Sequence, residues 1–237
     1  MIVPPATPPL SAEAVVAVQQ TLDHLRGEFD VESTEIPLTG RLVTIHHPRS
    51  AEALINDDAF AEDERLPYWA DVWPSARVLA ERIARITPGD RRLLELGCGA
   101  GLVSVAAALA GFDVTATDYY DEALRFTALN VLANTGALIE TQIADWRRFP
   151  HDLGRFDLVV ASDVLYERPY AELIASVIDR TLTARGMAII ADPGRLAAPE
   201  FVDRCVDRSM IAAIVDRVPH EEPGIRQTID VYEIRRR

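Results

Sequence analysis

Three glycines in the run Glu95-Leu96-Gly97-Cys98-Gly99-Ala100-Gly101, set between a β-rich stretch and a helical one, constrain this chain more than any other feature. Glycines so placed let the backbone turn sharply at the end of a strand and let a ligand approach it closely. The flanking pattern agrees. From Arg91 onward short β-rich runs alternate with helical ones, the signature of a parallel sheet with crossover helices. The predicted strands are Leu93 to Leu96, Asp113 to Asp118, Ile139 to Ile143, Phe156 to Ser162 and Met187 to Asp192. The predicted helices are Leu102 to Ala110, Asp121 to Thr135, Pro169 to Leu182 and Pro199 to Arg208. Gly136 and Gly186 suit helix C-terminal ends, and Pro199 suits a first helical turn. Two further β-like stretches, Ile211 to Arg217 and Gln227 to Ile234, predict a hairpin at the sheet's edge. The fold class that follows is α/β: a doubly wound, seven-stranded, Rossmann-like sheet with a terminal antiparallel hairpin.

The loop also indicates which ligand it holds. A dinucleotide fingerprint would put its third glycine at position 102, which is Leu102, so the spacing argues against NAD or FAD. Glu95, two residues before the first glycine, is badly placed for a pyrophosphate and better placed for a ligand with an ammonium or sulfonium centre. Asp118 ends the second strand, where a carboxylate accepts hydrogen bonds from a ribose diol. A nucleoside cofactor without phosphates fits these features, and S-adenosyl-L-methionine is the common one. Gly97 and Gly99 line its cradle, Asp145 and Trp146 follow the third strand where an adenine ring would lie, and Ser162 closes the fourth strand beside them.

Ahead of this core lie residues 1–65, read as an N-terminal extension to a domain spanning 66–237. Met1 to Leu10 carry four prolines and no basic stretch ahead of an apolar one, which does not resemble a secretory signal. Ser11 offers an N-cap for a helix carrying Val15, Val18, Leu22 and Leu25 at helical spacing. Leu38 to Pro48 reads as an extended segment, and Asn56 to Arg65 as an acidic connector.

Composition sets the limits. At 237 residues, 49% apolar and 26% charged, the chain is long enough for one well-buried domain. Its 37 acidic against 24 basic side chains leave a net charge of −13, which repels nucleic acid and favours a basic partner. No apolar run nears the roughly 20 residues that span a bilayer, so no membrane partner is expected. Cys98 and Cys205 fall outside any metal spacing, and no metal is expected. These features together predict a cytoplasmic protein. Surface roles are expected for the five histidines.

The segment from Leu66 to about Arg195 resembles methyltransferase family 16, the seven-strand protein-lysine methyltransferases. Three motifs carry the likeness: Pro67-Tyr68-Trp69-Ala70-Asp71-Val72-Trp73-Pro74-Ser75, the glycine loop, and Asp163-Val164-Leu165-Tyr166, which is similar to the family's D-x-x-Y. The run Asp192-Pro193-Gly194-Arg195 resembles the branch that methylates lysines of the electron transfer flavoprotein β subunit. The resemblance implies that Trp73, Glu95, Gly97, Gly99, Asp118 and Trp146 contact the cofactor. It implies that Asp163 and Tyr166 face the acceptor as catalytic residues.

Bacterial proteins of this branch have also been labelled nicotinamide N-methyltransferases, so a small-molecule N-methyltransferase is one alternative and a non-catalytic cofactor-binding scaffold another. A lysine acceptor must lose a proton first, since its unperturbed pKa is about 10.4. Asp163 would attract the ammonium yet hold its proton, while desolvation beside Tyr166, Trp69 and Trp73 would release it.

Overall fold

The computed structural model describes residues 9–54, 66–222 and 224–237. The first eight residues and the acidic connector lie outside them. A single mixed sheet organises the chain. Its strands are β3 (Arg92–Leu96), β4 (Asp113–Asp118), β5 (Glu140–Ile143), β6 (Phe156–Ser162), β7 (Leu182–Asp192), β8 (Met210–Glu222) and β9 (Ile225–Arg236), in the spatial order β5-β4-β3-β6-β7-β9-β8. Strands β3 to β7 run parallel, and β9 and β8 close the edge antiparallel, as the seven-stranded doubly wound reading expects. Strand order reverses between β3 and β6, so the ligand crevice of this architecture opens at the C-terminal ends of those two strands.

Strand alternation divides the core into two layers. Leu93, Leu158, Val160 and Ile189 face α2 (Pro74–Ile83) and α3 (Leu102–Ala110), whereas Leu94, Val159, Ala161 and Ile190 face α5 (Arg168–Thr181) and α6 (Ala198–Asp207). Successive side chains on a strand point to opposite faces, and both faces are covered, so the strands read as unbroken apolar runs. Helix α3 is nearly all apolar and lies between two left-handed glycines, Gly101 and Gly111. Gly101 is indispensable there, because a Cβ would fall 2.7 to 2.9 Å from Thr127 of α4 (Asp121–Thr135).

Two sequence readings need correction, and one helix was not read at all. Gly186 ends no helix: α5 stops at Thr181 and Gly186 lies inside the long strand β7. The segment Leu38 to Pro48 is not one extended run. It holds the end of β1 (Val31–Leu38), a Thr39-Gly40 turn with both residues at positive φ, and β2 (Arg41–Pro48), together an antiparallel hairpin of the primed type. Helix α2, introduced by Pro74 in its first turn, had no assignment from residue pattern.

The N-terminal residues dock on α4 in two ways. Helix α1 (Ala12–Glu28), capped by Ser11 Oγ accepting the Ala14 N–H at 3.1 Å, packs Leu22 and Leu25 against Trp69, Phe126 and Leu129. The hairpin is held by two asparagines one helical turn apart. Asn134 accepts the Thr44 N–H at 3.0 Å and donates to the Thr44 carbonyl at 2.8 Å. Asn130 does the same for His46, at 2.8 and 2.7 Å. The two side-chain amides act as the neighbouring strand that β2 lacks on that edge. Asn130 also donates to the Ala100 carbonyl at 2.8 Å, tying hairpin and glycine loop to one buried residue.

Candidate active site

The glycine loop is shaped by its neighbour strand. The Gly97 and Cys98 N–H groups both donate to the Thr117 carbonyl, and Gly97, Gly99 and Gly101 all take positive φ. At Gly97 a Cβ would fall 3.2 Å from the Trp146 ring and 3.3 Å from Val164, so this turn stays open only because it has no side chain. Asp118 locks the loop from β4. One carboxylate oxygen accepts the Gly99 N–H at 2.9 Å and the other the Tyr120 N–H at 3.1 Å. Burial pushes its carboxyl above the usual carboxylate range, and these N–H donors oppose that shift. The Tyr119 N–H lowers it as well, and a carboxylate that can accept about four hydrogen bonds still has room for a hydroxyl donor.

A pocket of about 280 Å³ opens at the strand ends. Trp73, Gly97, Gly99, Asp118, Asp145, Trp146, Ser162, Asp163 and Tyr166 all lie on its wall. Glu95 does not. Its side chain turns behind the loop, is 1% exposed, and hydrogen-bonds Ser104 of α3. The reason is strand parity: Glu95 precedes the turn, so its side chain points into the helix layer while the loop backbone reaches the pocket. Burial pushes its carboxyl up to about 8, against the lowering effect of Ser104, so at neutral pH it is mostly a neutral group bracing the loop.

Edge-to-face rings form the far wall. Trp73 meets Tyr68 at 6.0 Å between centroids, Tyr68 meets Tyr166 at 5.8 Å, Tyr166 meets Tyr170 at 4.9 Å, and Tyr170 meets Trp146 at 5.2 Å. Trp73 is fixed by donating its indole N–H to the Tyr68 carbonyl at 2.8 Å. Burial, followed by the charge of Tyr170 and the hydrogen bond with it, pushes the Tyr166 phenol well above its ordinary value, so it stays protonated.

Asp163, the residue after β6, sits in the left-handed region with φ 59°, a conformation that Asp and Asn tolerate better than most residues. Its side chain is 6% exposed and its carboxylate already engaged. Ser75 Oγ donates to one oxygen at 3.0 Å, and Arg195 Nε donates to the other at 2.6 Å. The Arg195 guanidinium also lies 5.5 Å from the centroid of the Trp73 ring. Asp192 builds the turn that presents Arg195. One of its oxygens accepts the Gly194 and Arg195 N–H groups at 2.8 and 2.6 Å, while the other is buried without a partner among the described residues. Burial, then its neighbours, leave the Asp192 carboxyl at about 6.

Sequence reading missed Ser75, Arg195, Tyr68 and Tyr170 as parts of the site. Tyr170 was within reach, lying four residues past Tyr166 and one turn into α5. Ser75 meets Asp163 from 88 residues away, and no local spacing signals that contact.

Sheet order, glycine loop and the Asp118 lock together define the fold of the S-adenosylmethionine-dependent methyltransferases. Solved structures of that fold match the chain. One is a TehB-like methyltransferase from Corynebacterium glutamicum, at TM-score 0.53 and 17% identity, covering 76% of this chain and 94% of that one. Another is TYW2 of Pyrococcus horikoshii in complex with MeSAdo, at TM-score 0.58 and 14% identity, covering 86% and 72%. Residues 59–200 match the family model described as lysine methyltransferase, and the chain belongs to that family. It is similar to the protein-lysine methyltransferase METTL21E of Bos taurus, 32% identical over 151 residues, which cover 58% of this chain and 52% of the relative. It is similar also to the electron transfer flavoprotein beta subunit lysine methyltransferase of Xenopus laevis, 31% identical over 134 residues, which cover 54% and 53%. The chain thus spans about half the length of the curated relatives it matches.

Proposed function

We propose that this protein transfers methyl groups from S-adenosylmethionine to lysine side chains on the basic surface of a protein substrate, with the electron transfer flavoprotein β subunit as first candidate. The observation that carries the reading is Asp163 and Tyr166 standing at the switch-point crevice beside Trp73, on the same pocket wall as the glycine loop. A carboxylate flanked by aromatic faces suits an alkylammonium, through charge and cation–π attraction. The cofactor supplies an electrophilic methyl on a sulfonium. Everything else asked of this chain is positioning and exclusion of water. Asp163 orients the acceptor nitrogen, the ring wall desolvates it so that it releases its proton, and the loop and Asp118 fix the donor's sugar. The net charge of −13 supports a basic acceptor surface.

All 24 basic side chains are arginine, so the chain has no lysine of its own. Methyl-lysine recovered from an assay therefore comes from the acceptor. Incubation with methyl-labelled cofactor, electron transfer flavoprotein and nicotinamide should label lysines of the β subunit. Label found in nicotinamide alone would overturn the protein-lysine reading.

Asp118→Asn should bind adenosylmethionine about tenfold more weakly, since one charge-assisted hydrogen bond is worth roughly 1.5 kcal/mol or more. Calorimetric titration checks this, and unchanged affinity in the folded variant would remove Asp118 from the cofactor site.

A further inference from the structure

We propose that Arg195 occupies the acceptor's own place: its guanidinium holds the carboxylate and aromatic face that an incoming lysine ammonium needs, and the lysine must displace it. This deepens the lysine reading and rests on it. Two partners define the position. Arg195 Nε lies 2.6 Å from Asp163, and the guanidinium carbon lies 5.5 Å from the centroid of the Trp73 ring. A carboxylate with an aromatic face beside it is the recognition chemistry of an alkylammonium. Bond by bond, a lysine at position 195 would place its Cε where Nε now stands and its Nζ at the guanidinium carbon.

The arrangement is built to release. Asp192 holds the turn through the N–H groups of Gly194 and Arg195, so the backbone stays fixed while the side chain moves. That side chain is 36% exposed, and among the described residues only its Nε makes a hydrogen bond to the protein. On its outer side Arg195 borders a groove with Ala198, Val202, Ala212, Ile214 and Tyr232, which gives the guanidinium room to swing away. With Arg195 in place, Asp163 is charge-compensated between turnovers. The charged and titratable groups facing this pair are Asp192 at the end of β7, Tyr68 from the turn before α2, and Asp230 and Tyr232 of β9 across the groove. On the pocket side they are Tyr166 and Glu167.

Arginine at this position cannot take a methyl group as a lysine does, and the lysine-free sequence makes that testable. Arg195→Lys introduces the single lysine of the chain at the acceptor's seat. Incubated with adenosylmethionine, this variant should methylate itself. Once the introduced lysine has given its proton to solvent, its nitrogen lone pair forms the N–C bond as the S–C bond breaks. The electrons of that bond stay on sulfur, leaving a thioether and a methylammonium. Intact-mass and fragment spectra should show one or more additions of about 14 Da at position 195 of the variant and none in wild type.

Arg195→Gln gives a second readout without turnover. In protein saturated with adenosylhomocysteine, Nα-acetyl-lysine methylamide followed by NMR should bind at least tenfold more tightly to the variant than to wild type, because Asp163 is vacated. Self-methylation with tighter binding is the expected pair of results. If wild type methylates flavoprotein lysines while the lysine of Arg195→Lys stays unmodified and the lysine analogue binds Arg195→Gln and wild type equally, the placement of Arg195 is overturned and the lysine reading stands. If no lysine is methylated by wild type or by Arg195→Lys and the analogue binds neither wild type nor Arg195→Gln, the lysine reading itself falls and takes this assignment with it.

Discussion

Asp163→Asn is expected to bind adenosylmethionine as the wild type does and to methylate lysine about a hundredfold more slowly. The variant suits the question because Asn tolerates the left-handed φ of 59° at this position as Asp does, and its carbonyl can still accept the Ser75 hydroxyl. Folding should survive. What disappears is the negative charge that orients an ammonium and balances Arg195, in a site where a charged hydrogen bond contributes several kcal/mol. A hundredfold loss corresponds to about 2.7 kcal/mol of transition-state stabilisation. The check is kcat and cofactor affinity measured on one preparation. Near-wild-type turnover by folded protein would mean that the acceptor carries no charge Asp163 can feel, and would favour a neutral small molecule.

The largest effect on stability is expected at Asn130. Asn130→Ala should cost about 3 to 5 kcal/mol, because it strands the His46 N–H, the His46 carbonyl and the Ala100 carbonyl, each previously bonded at 2.7 to 2.8 Å around a fully buried side chain. Urea unfolding should show a lower midpoint. Adenosylhomocysteine affinity should fall in parallel, since Ala100 belongs to the glycine loop. A loss under about 1 kcal/mol, the size of one ordinary hydrogen bond, would mean that water replaces the amide and that hairpin and loop are not coupled through it.

Legibility of the sequence tracked how local the determining interaction was. Strands Asp113–Asp118 and Phe156–Ser162 and helix Leu102–Ala110 ended where their sequence punctuation placed them, because glycines and polar residues bracket apolar runs there. The hairpin strand β1 was hidden by Ser33, Glu35 and Pro37 on its exposed face, and its apolar pair Ile36 and Leu38 is short. Gly186 misled because a glycine inside a strand carries the same local signal as one ending a helix. At the site, residues following strands were legible, since the architecture sends every strand end to one crevice. Arg195 and Ser75 were not. Their importance lies in what they do to Asp163, 32 and 88 residues away in the chain.

The two-asparagine clasp on β2 has a consequence for biosynthesis. The partners of the Thr44 and His46 backbone are 90 and 84 residues downstream. At roughly 5 to 20 residues per second of translation, the hairpin emerges about 4 to 18 seconds before α4 exists to cover it. Through that interval one of its edges is bare, and a bare strand edge is a template for pairing with another chain. A nascent chain paused before residue 130 would therefore be the most association-prone form of this protein, although every residue of its hairpin is already made.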